Sequence, residues 1–472
     1  MTRRPVLLVL ALAVACGPDY NISPSKAGAL ILVSGNDQSG SAGLALALPI
    51  VMKLQDSVGA PRAGVQVLWS TVGNTGSVPK PTDTTNAAGE VSAIWTLGPD
   101  IGLQHLIAAV PAVGSVTATA LVPGFIPIAL TVGNAFGCGL TTTGLAYCWG
   151  DNTSGVLAAV TPGSAKPLAI PGGQLFQSIS AGADFVCALT TTQGQIWCWG
   201  SNSHGQRGVA GTPGSAPTQV IGHTWIGVVA GGQTGCGIAS DSTAWCWGIN
   251  GYGQVGDNST GTDRFAPVAV TGGHKFLQLA LGATHSCGIT TAGPAFCWGR
   301  NADQELGAGL GNAAYATPQA VASSDSLLFS SVATGGFHTC GVTLTLVTYC
   351  WGSEAQGQLG NNKIQVADLA APTAIDSTLG LTSLAADSAS TVAMTAAGHA
   401  YWWGNRGSLT SPTSVDRSAV PKLVPGPFVF TFFATGYGVS CARSTNTFTY
   451  CWGSSANIYF PASDTPAGVP GP

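Results

Sequence analysis

From residue 126 onward, one pattern of apolar and polar positions recurs along the chain. A representative stretch begins with Phe276-Leu277-Gln278-Leu279-Ala280-Leu281, passes through Thr284-His285-Ser286-Cys287-Gly288-Ile289-Thr290, and reaches Ala295-Phe296-Cys297-Trp298-Gly299. Short apolar-rich runs cut by Gly, Pro, Asn and Ser predict short strands joined by tight turns. Each copy carries a Trp-Gly mark, at Trp149, Trp199, Trp247, Trp298, Trp351, Trp403 and Trp452, with 48 to 53 residues between successive marks. A period of about 50 residues with several strands per unit is the signature of β-propeller blades, and seven copies fall within the usual range of about four to eight. Residues 126–472 are therefore expected to form a seven-bladed propeller with these tryptophans packed between blades.

The N-terminal part is patterned differently. Strands are predicted at Leu30–Val33, Ile50–Leu54, Val65–Ser70, Val91–Thr96, Gln104–Val110 and Val116–Leu121, separated by turns such as Asp56-Ser57-Val58-Gly59 and Asn86-Ala87-Ala88-Gly89. Strands at this spacing suit an immunoglobulin-like sandwich over residues 29–122, with Trp69 and Trp95 in its core. The fold class is all-β.

Cysteine spacing adds a covalent layer. Twelve of the 13 cysteines form close pairs: Cys138 with Cys148, Cys187 with Cys198, Cys236 with Cys246, Cys287 with Cys297, Cys340 with Cys350 and Cys441 with Cys451. The copy around Trp403 has Val392 and Trp402 at the two cysteine positions, so both partners are missing together, as bonded partners would be. Each pair flanks a hairpin turn that brings its sulfurs opposite one another, within disulfide reach. Trp402 is expected to fill the volume that the absent bond leaves. Structural zinc would require shorter spacing and two pairs brought together, which blade-separated pairs do not offer.

Composition narrows the class of function. Charged residues are 8% of the chain and the net charge is −4, with no basic cluster beyond Arg3-Arg4. Nucleic-acid binding, which depends on neutralising phosphates, is not expected. The N-terminus pairs those arginines with an apolar run from Pro5 to Ala15, the build of a secretory signal over residues 1–15. Ala13-Val14-Ala15-Cys16 resembles a bacterial lipobox, which implies cleavage before Cys16 and lipid attachment to it. A polar linker (residues 16–28) would follow. Export also suits disulfides.

Two family resemblances extend this reading. Val33-Ser34-Gly35-Asn36-Asp37-Gln38, Lys53-Leu54-Gln55-Asp56-Ser57-Val58-Gly59, Gly64-Val65-Gln66-Val67-Leu68-Trp69 and Thr96-Leu97-Gly98-Pro99 resemble the bacterial Ig-like domains of invasin and intimin, which implies a spacer. Ser180-Ala181-Gly182, the Cys-Trp-Gly marks and the tails Asn202-Ser203-His204-Gly205-Gln206-Arg207-Gly208, Asn250-Gly251-Tyr252-Gly253-Gln254-Val255-Gly256 and Gln356-Gly357-Gln358-Leu359-Gly360 resemble the regulator of chromosome condensation repeat. The tail is eroded at Asn301 to Gly307 and at Asn152 to Leu157, and nearly absent after Trp403 and Trp452. That resemblance implies a propeller. The founding member is an exchange factor for a small GTPase, and another exported bacterial propeller of this type inhibits β-lactamase, so a protein-binding rim is implied more readily than one activity.

The sequence contains no nucleophile elbow, zinc-protease motif, Walker loop or dinucleotide fingerprint. His285 and His338 share a place in their repeats, with Asp184 near it in another; they read as polar residues satisfying backbone at a strand start, with a ring of axial ligands as the sharper alternative. Asp257-Asn258-Ser259-Thr260-Gly261-Thr262-Asp263 is oxygen-rich like a calcium loop but lacks the downstream Glu, so a solvated turn is expected. Only Glu90, Glu305 and Glu354 are glutamates, and no glycosidase-like pair can be named.

The expectation is a non-enzymatic, cofactor-free, monomeric envelope protein. It would be lipid-anchored, would face the periplasm or the cell surface, and would bind a protein or glycan partner without touching nucleic acid. Asp257–Phe265, Ala302–Tyr315 and Ser408–Pro421, where repeats differ most, are the expected recognition loops. An axial lyase or hydrolase site and an exchange-factor role are the alternatives. If ring closure mixes the termini, the segments near Ile126–Leu130 and Pro466–Pro470 should lie side by side.

Overall fold

A computed structural model describes residues 28–469 except 41–42, 74, 99–101, 123, 212–213, 324–325, 365–366, 376, 406–416, 437, 447 and 454–462. Cys16, the signal segment and most of the linker lie outside the described residues, as does much of the Ser408–Pro421 loop. The chain divides into two compact units, 1–121 and 122–472. No helix among the described residues is long and apolar enough to cross a membrane.

The first unit is built from β1 (Leu30–Ser34), β2 (Gln38–Ser39), β3 (Ile50–Leu54), β4 (Gln66–Thr71), β5 (Thr82–Thr84), β6 (Glu90–Ala93), β7 (Gly102–Val110) and β8 (Gly114–Val122). They form two sheets, β1-β3-β6 and β2-β8-β7-β4-β5. β3 and β7 alternate buried and less buried positions along their length, the mark of one face turned to a core. Both predicted turns are tied by their own side chains: Asp56 accepts from the backbone N–H groups of Val58 and Ala60, and Asn86 from those of Ala88 and Glu90. Trp69 and Trp95 are buried, and the Trp95 indole donates to the Thr75 carbonyl at 2.8 Å. The short strands β2 and β5 escaped the sequence reading because two or three residues carry no periodicity.

The second unit is a multi-bladed propeller of four-stranded antiparallel sheets, and the described residues supply seven of them, numbered here as blades in chain order. Blade four shows the plan: an inner strand Phe276–Leu281, then His285–Thr290, Ala295–Gly299 and an outer strand Tyr315–Ala320. The third and outer strands slip register at the Trp-Gly mark in every blade. That bulge explains the dipeptide: the glycine after the tryptophan takes φ near +100°, as at Gly248 (102°) and Gly299 (105°), where other residues are strained. Each outer strand contains one proline: Pro167, Pro217, Pro267, Pro318, Pro372, Pro421 and Pro466. An outer strand is an exposed edge, and a residue without an N–H blocks pairing with a stray strand there.

Six disulfides lie in register across the second and third strands, with Cα–Cα distances of 4.0–4.1 Å. They join Cys138 to Cys148, Cys187 to Cys198, Cys236 to Cys246, Cys287 to Cys297, Cys340 to Cys350 and Cys441 to Cys451, the pairs that the spacing indicated. In blade six, Val392 pairs with Trp402 at the same register, and both are buried.

Cysteine and tryptophan are adjacent, so they face opposite sides of the blade. The cystine of one blade therefore meets the tryptophan of the next. Cys138 and Cys148 share a core cluster with Phe176 and Trp199 of blade two. Cys187 and Cys198 pack with Trp225 and Trp247 of blade three, and Cys236 and Cys246 with Phe276 and Trp298 of blade four. Cys287 and Cys297 meet Phe329 and Trp351 of blade five in the same way. The wedge at each seam is the first residue of the following inner strand: Phe176, Trp225, Phe276, Phe329, Leu381 or Phe430. In blade six Trp402 takes the cystine's place against Phe430 and Trp452.

The last blade packs against the first by the same device. Phe125 enters the cluster of Cys441, Cys451 and Trp149, and its N–H donates to the Val469 carbonyl at 3.2 Å. The two ends thus lie side by side, but no strand is exchanged: the first blade uses only residues 129–169 and the last only 430–468. Replacing both Cys340 and Cys350 with Ala should cost about 2–4 kcal/mol of unfolding free energy. Urea denaturation followed by tryptophan fluorescence reads this, and an unchanged midpoint would mean the seam does not depend on its cystine.

Candidate binding face

The repeat tail after each Trp-Gly closes on itself before it reaches the next blade. In Asn202–Gly208, the Asn202 side chain accepts from the Arg207 N–H at 3.0 Å and donates to the Val209 and Gly211 carbonyls. Asn152 and Asn301 hold their tails in the same way. The glutamine of the motif clamps the turn from the other side: Gln206 accepts from the His204 N–H and Gln254 from the Tyr252 N–H, both at 2.9 Å. The backbone carbonyl at that position receives the next blade's indole, from Trp247 at Gln206, Trp298 at Gln254, Trp351 at Glu305 and Trp403 at Gln358, at 2.8–2.9 Å. The motif is thus a blade-to-blade clasp. Trp149 and Trp452 follow the two blades whose sequences lack the tail, and their indole nitrogens are buried without a hydrogen-bond partner among the described residues.

The shared histidine position belongs to the same seams. His285 and His338 are buried, with Nε2 at 2.8 Å from the Thr339 and Thr391 hydroxyls of the following blades. Those hydroxyls donate to the Glu305 and Gln358 carbonyls, so each imidazole is the donor toward its threonine. Burial holds both histidines down at about 3, with the neighbouring His338 and Arg300 acting in the same direction on His285. Asp184 bridges a seam as well, accepting from Gln206 in its own blade and Gln233 in the next. None of these three side chains is among those that line the axial cavity, and each is engaged across a seam instead.

The axis is lined mainly by glycine and alanine around a cavity of about 110 Å³. Backbone groups of consecutive blades bond to one another near it, as from Asn134 N to Ala183 O and from Gly336 N to Asp387 O, each at 2.9 Å. Asp387 stands where other blades have glycine. Burial pushes its carboxyl up, and it accepts from the Ala389, Ser390 and Gly438 backbone and the Ser390 hydroxyl. Among the described residues no cluster of three His, Cys, Asp or Glu side chains is placed to hold a metal. In the oxygen-rich loop, the Asp257 carboxylate is taken by the Arg264 guanidinium at 2.6 Å and by Ser259.

The tails of blades four and five and Asn405 of blade six surround a cleft of about 540 Å³. Its walls include Arg300, Asp303, Phe337, Gln356, Ser388 and Asn405. Arg300 pairs with Asp303 and Glu305 and lies 5.1 Å from the centre of the Phe337 ring, which remains 43% exposed. Asn405 donates to Gln356 at 3.1 Å. Asp303 belongs to the Ala302–Tyr315 recognition loop anticipated from sequence; Asp257–Phe265 belongs to the preceding blade and does not line the cleft. The sequence reading missed Phe337 and Arg300, whose signal was a departure from the repeat. It also missed an aromatic residue before the second cysteine position of each blade: Tyr147, Trp197, Trp245, Phe296, Tyr349, Tyr401 and Tyr450.

The comparisons with known proteins agree with this geometry. The regulator of chromosome condensation (RCC1) repeat matches residues 128–156 and 176–206, and again 241–289 and 292–342. The chain carries RCC1 repeats on an RCC1-like propeller. Human WBSCR16 is similar in structure, with a TM-score of 0.62 at 20% identity over 70% of this chain and 95% of that one. Saccharomyces cerevisiae Prp20p, studied with its binding properties to Gsp1p and histones, gives 0.60 at 20% identity over 70% and 86%. At that identity the likeness concerns the fold. Among curated relatives, the probable E3 ubiquitin-protein ligase HERC6 of Homo sapiens is 28% identical over 293 residues, 59% of this chain and 27% of that protein. The probable E3 ubiquitin-protein ligase HERC4 of Mus musculus is 36% identical over 88 residues, 19% and 8%. The chain thus spans about a quarter or less of these relatives' length.

Two outcomes follow for the seams. Both histidines are neutral in the fold but titrate near 6.5 when unfolded, so the unfolded chain binds more protons between about 6.5 and 3, and stability is lost as pH drops from 6.5 toward 3. The raised carboxyls of Glu305, Asp368 and Asp387 work in the opposite direction. His338→Gln keeps a donor but no titration, and should remove up to about 2 kcal/mol of the loss seen at about pH 5 in urea melts; an identical pH slope would refute this. In blade five, Glu354 replaces the tail asparagine, wholly buried, with neither carboxylate oxygen hydrogen-bonded among the described residues. Glu354→Asn should raise the unfolding free energy by about 1–3 kcal/mol, and a lower melting midpoint would count against it.

Proposed function

We propose that this chain is an exported, lipid-anchored envelope protein whose propeller is a non-catalytic scaffold for a protein partner. The observation that carries the binding role is the cleft at Phe337, where an exposed aromatic ring and an arginine meet on a rigid surface. Aromatic residues and arginine dominate the energetic centres of protein interfaces. Export is supported by the apolar N-terminal run ending at Cys16 and by six disulfides, which persist in oxidising compartments. Seven blades complete the ring in this reading, and the N-terminal unit is an Ig-like spacer that carries the propeller away from the membrane.

The likeness to Prp20p and to the ubiquitin ligases also supports protein binding as the general use of such propellers. An exchange-factor role would place the chain in a reducing compartment, against the chemistry of its cystines. Among the described residues the axis offers one acid, Asp387, engaged by backbone N–H groups and the Ser390 hydroxyl, which favours a scaffold over a lyase or hydrolase.

A photocrosslinking side chain placed at position 337 in intact cells should trap one discrete protein. The same group at Leu344, on a hairpin turn, should not. Cys16→Ser should move the protein from the membrane to the soluble fraction while the propeller keeps its disulfides. Equal crosslinking from both positions would sink the binding role, and a membrane-bound Cys16→Ser variant would sink the anchor.

A further inference from the structure

The charge around the cleft is unbalanced. Two carboxylates, Asp303 and Glu305, pair with one guanidinium, Arg300, and a third, Asp368, stands near enough to feel the charge of Asp303 and Arg300. Glu305 is wholly buried beneath its ion pair, whereas the Asp303 side chain keeps 32% of its surface exposed at the wall of the cleft. Burial raises the Asp368 carboxyl, and the charge of nearby Asp303 pushes it the same way.

The rest of the cleft is mild. Ala355 and Ala389 join Phe337 as apolar wall, and Gln356 and Asn405 are neutral amides. An anionic ligand would have to take Arg300 from two carboxylates that already hold it. A basic side chain finds the reverse: a carboxylate for its head and an aromatic and aliphatic wall for its methylene stem. Cations are attracted to aromatic faces, and long basic side chains bury their stems along apolar surface while the head stays at the polar rim.

We propose that this cleft is the docking pocket for a lysine or arginine side chain presented by a protein partner, with its charged head at Asp303 and its stem along Phe337. The proposal rests on the scaffold reading above and names the chemistry of the partner. Electrostatic complementarity of this kind sets specificity and association rate, and it weakens with salt.

A random peptide library displayed on phage, panned on the full-length protein, tests it. Enriched peptides should share a Lys or Arg at one position. A synthetic copy should bind more weakly in high salt and lose about tenfold or more in affinity on Asp303→Asn and on Phe337→Ala, each checked for intact disulfides and near-ultraviolet dichroism. Enriched acidic or wholly apolar peptides that still need Phe337 would overturn the basic partner and leave the scaffold reading standing. Peptides indifferent to both substitutions, or no enrichment, would overturn the pocket, and the crosslink at 337 then judges the scaffold separately.

Discussion

The propeller depends on one contact repeated around its ring: the cystine of each blade against the tryptophan of the next, with an aromatic or leucine wedge between. A chain with 8% charged residues and short strands has few other means of holding separate sheets together. Cystine, indole and wedge bury a large apolar surface at each seam, and the disulfide keeps its hairpin from fraying while that surface is exposed in unfolding. The blade without a disulfide keeps the same contact, because Trp402 supplies bulk at the same register and the same seam.

Most of the repeat's recurrent features serve this contact. The glycine after each tryptophan accepts a backbone conformation that lets the third strand bulge. The tail asparagine and glutamine fold a loop whose carbonyl receives the next indole. The histidines and Asp184, the chain's best candidates for chemistry when seen in one dimension, add hydrogen bonds across the same seams. Such residues recur because each seam makes the same demand, so their recurrence carries no information about a ligand.

The cleft forms where the repeat is broken. Phe337 occupies a position filled by Asp184, Thr284 or Ala389 in other blades, and Arg300 follows the Trp-Gly mark where Ser201 or Ser353 stands elsewhere. A rigid ring lets such departures accumulate on one face without endangering the core, since they lie outside the seam. The cleft is the result: an aromatic ring, a paired arginine and surplus carboxylate on a stapled frame.

Sequence alone determined the all-β class, the period, the paired cysteines and the burial of the tryptophans. These are local or periodic properties, visible because spacing of two along a strand and about 50 along the chain survives in one dimension. The two short strands of the first unit left no such trace. Only the tertiary structure decided that the wedge at the start of each inner strand joins cystine and indole at the seam, and that the first and last blades meet without exchanging a strand. It also decided that Arg300, Asp303, Phe337 and Asn405 border one cleft. Those residues come from three blades, and distance across a ring of stacked sheets is set by how blades pack, which no spacing along the chain encodes.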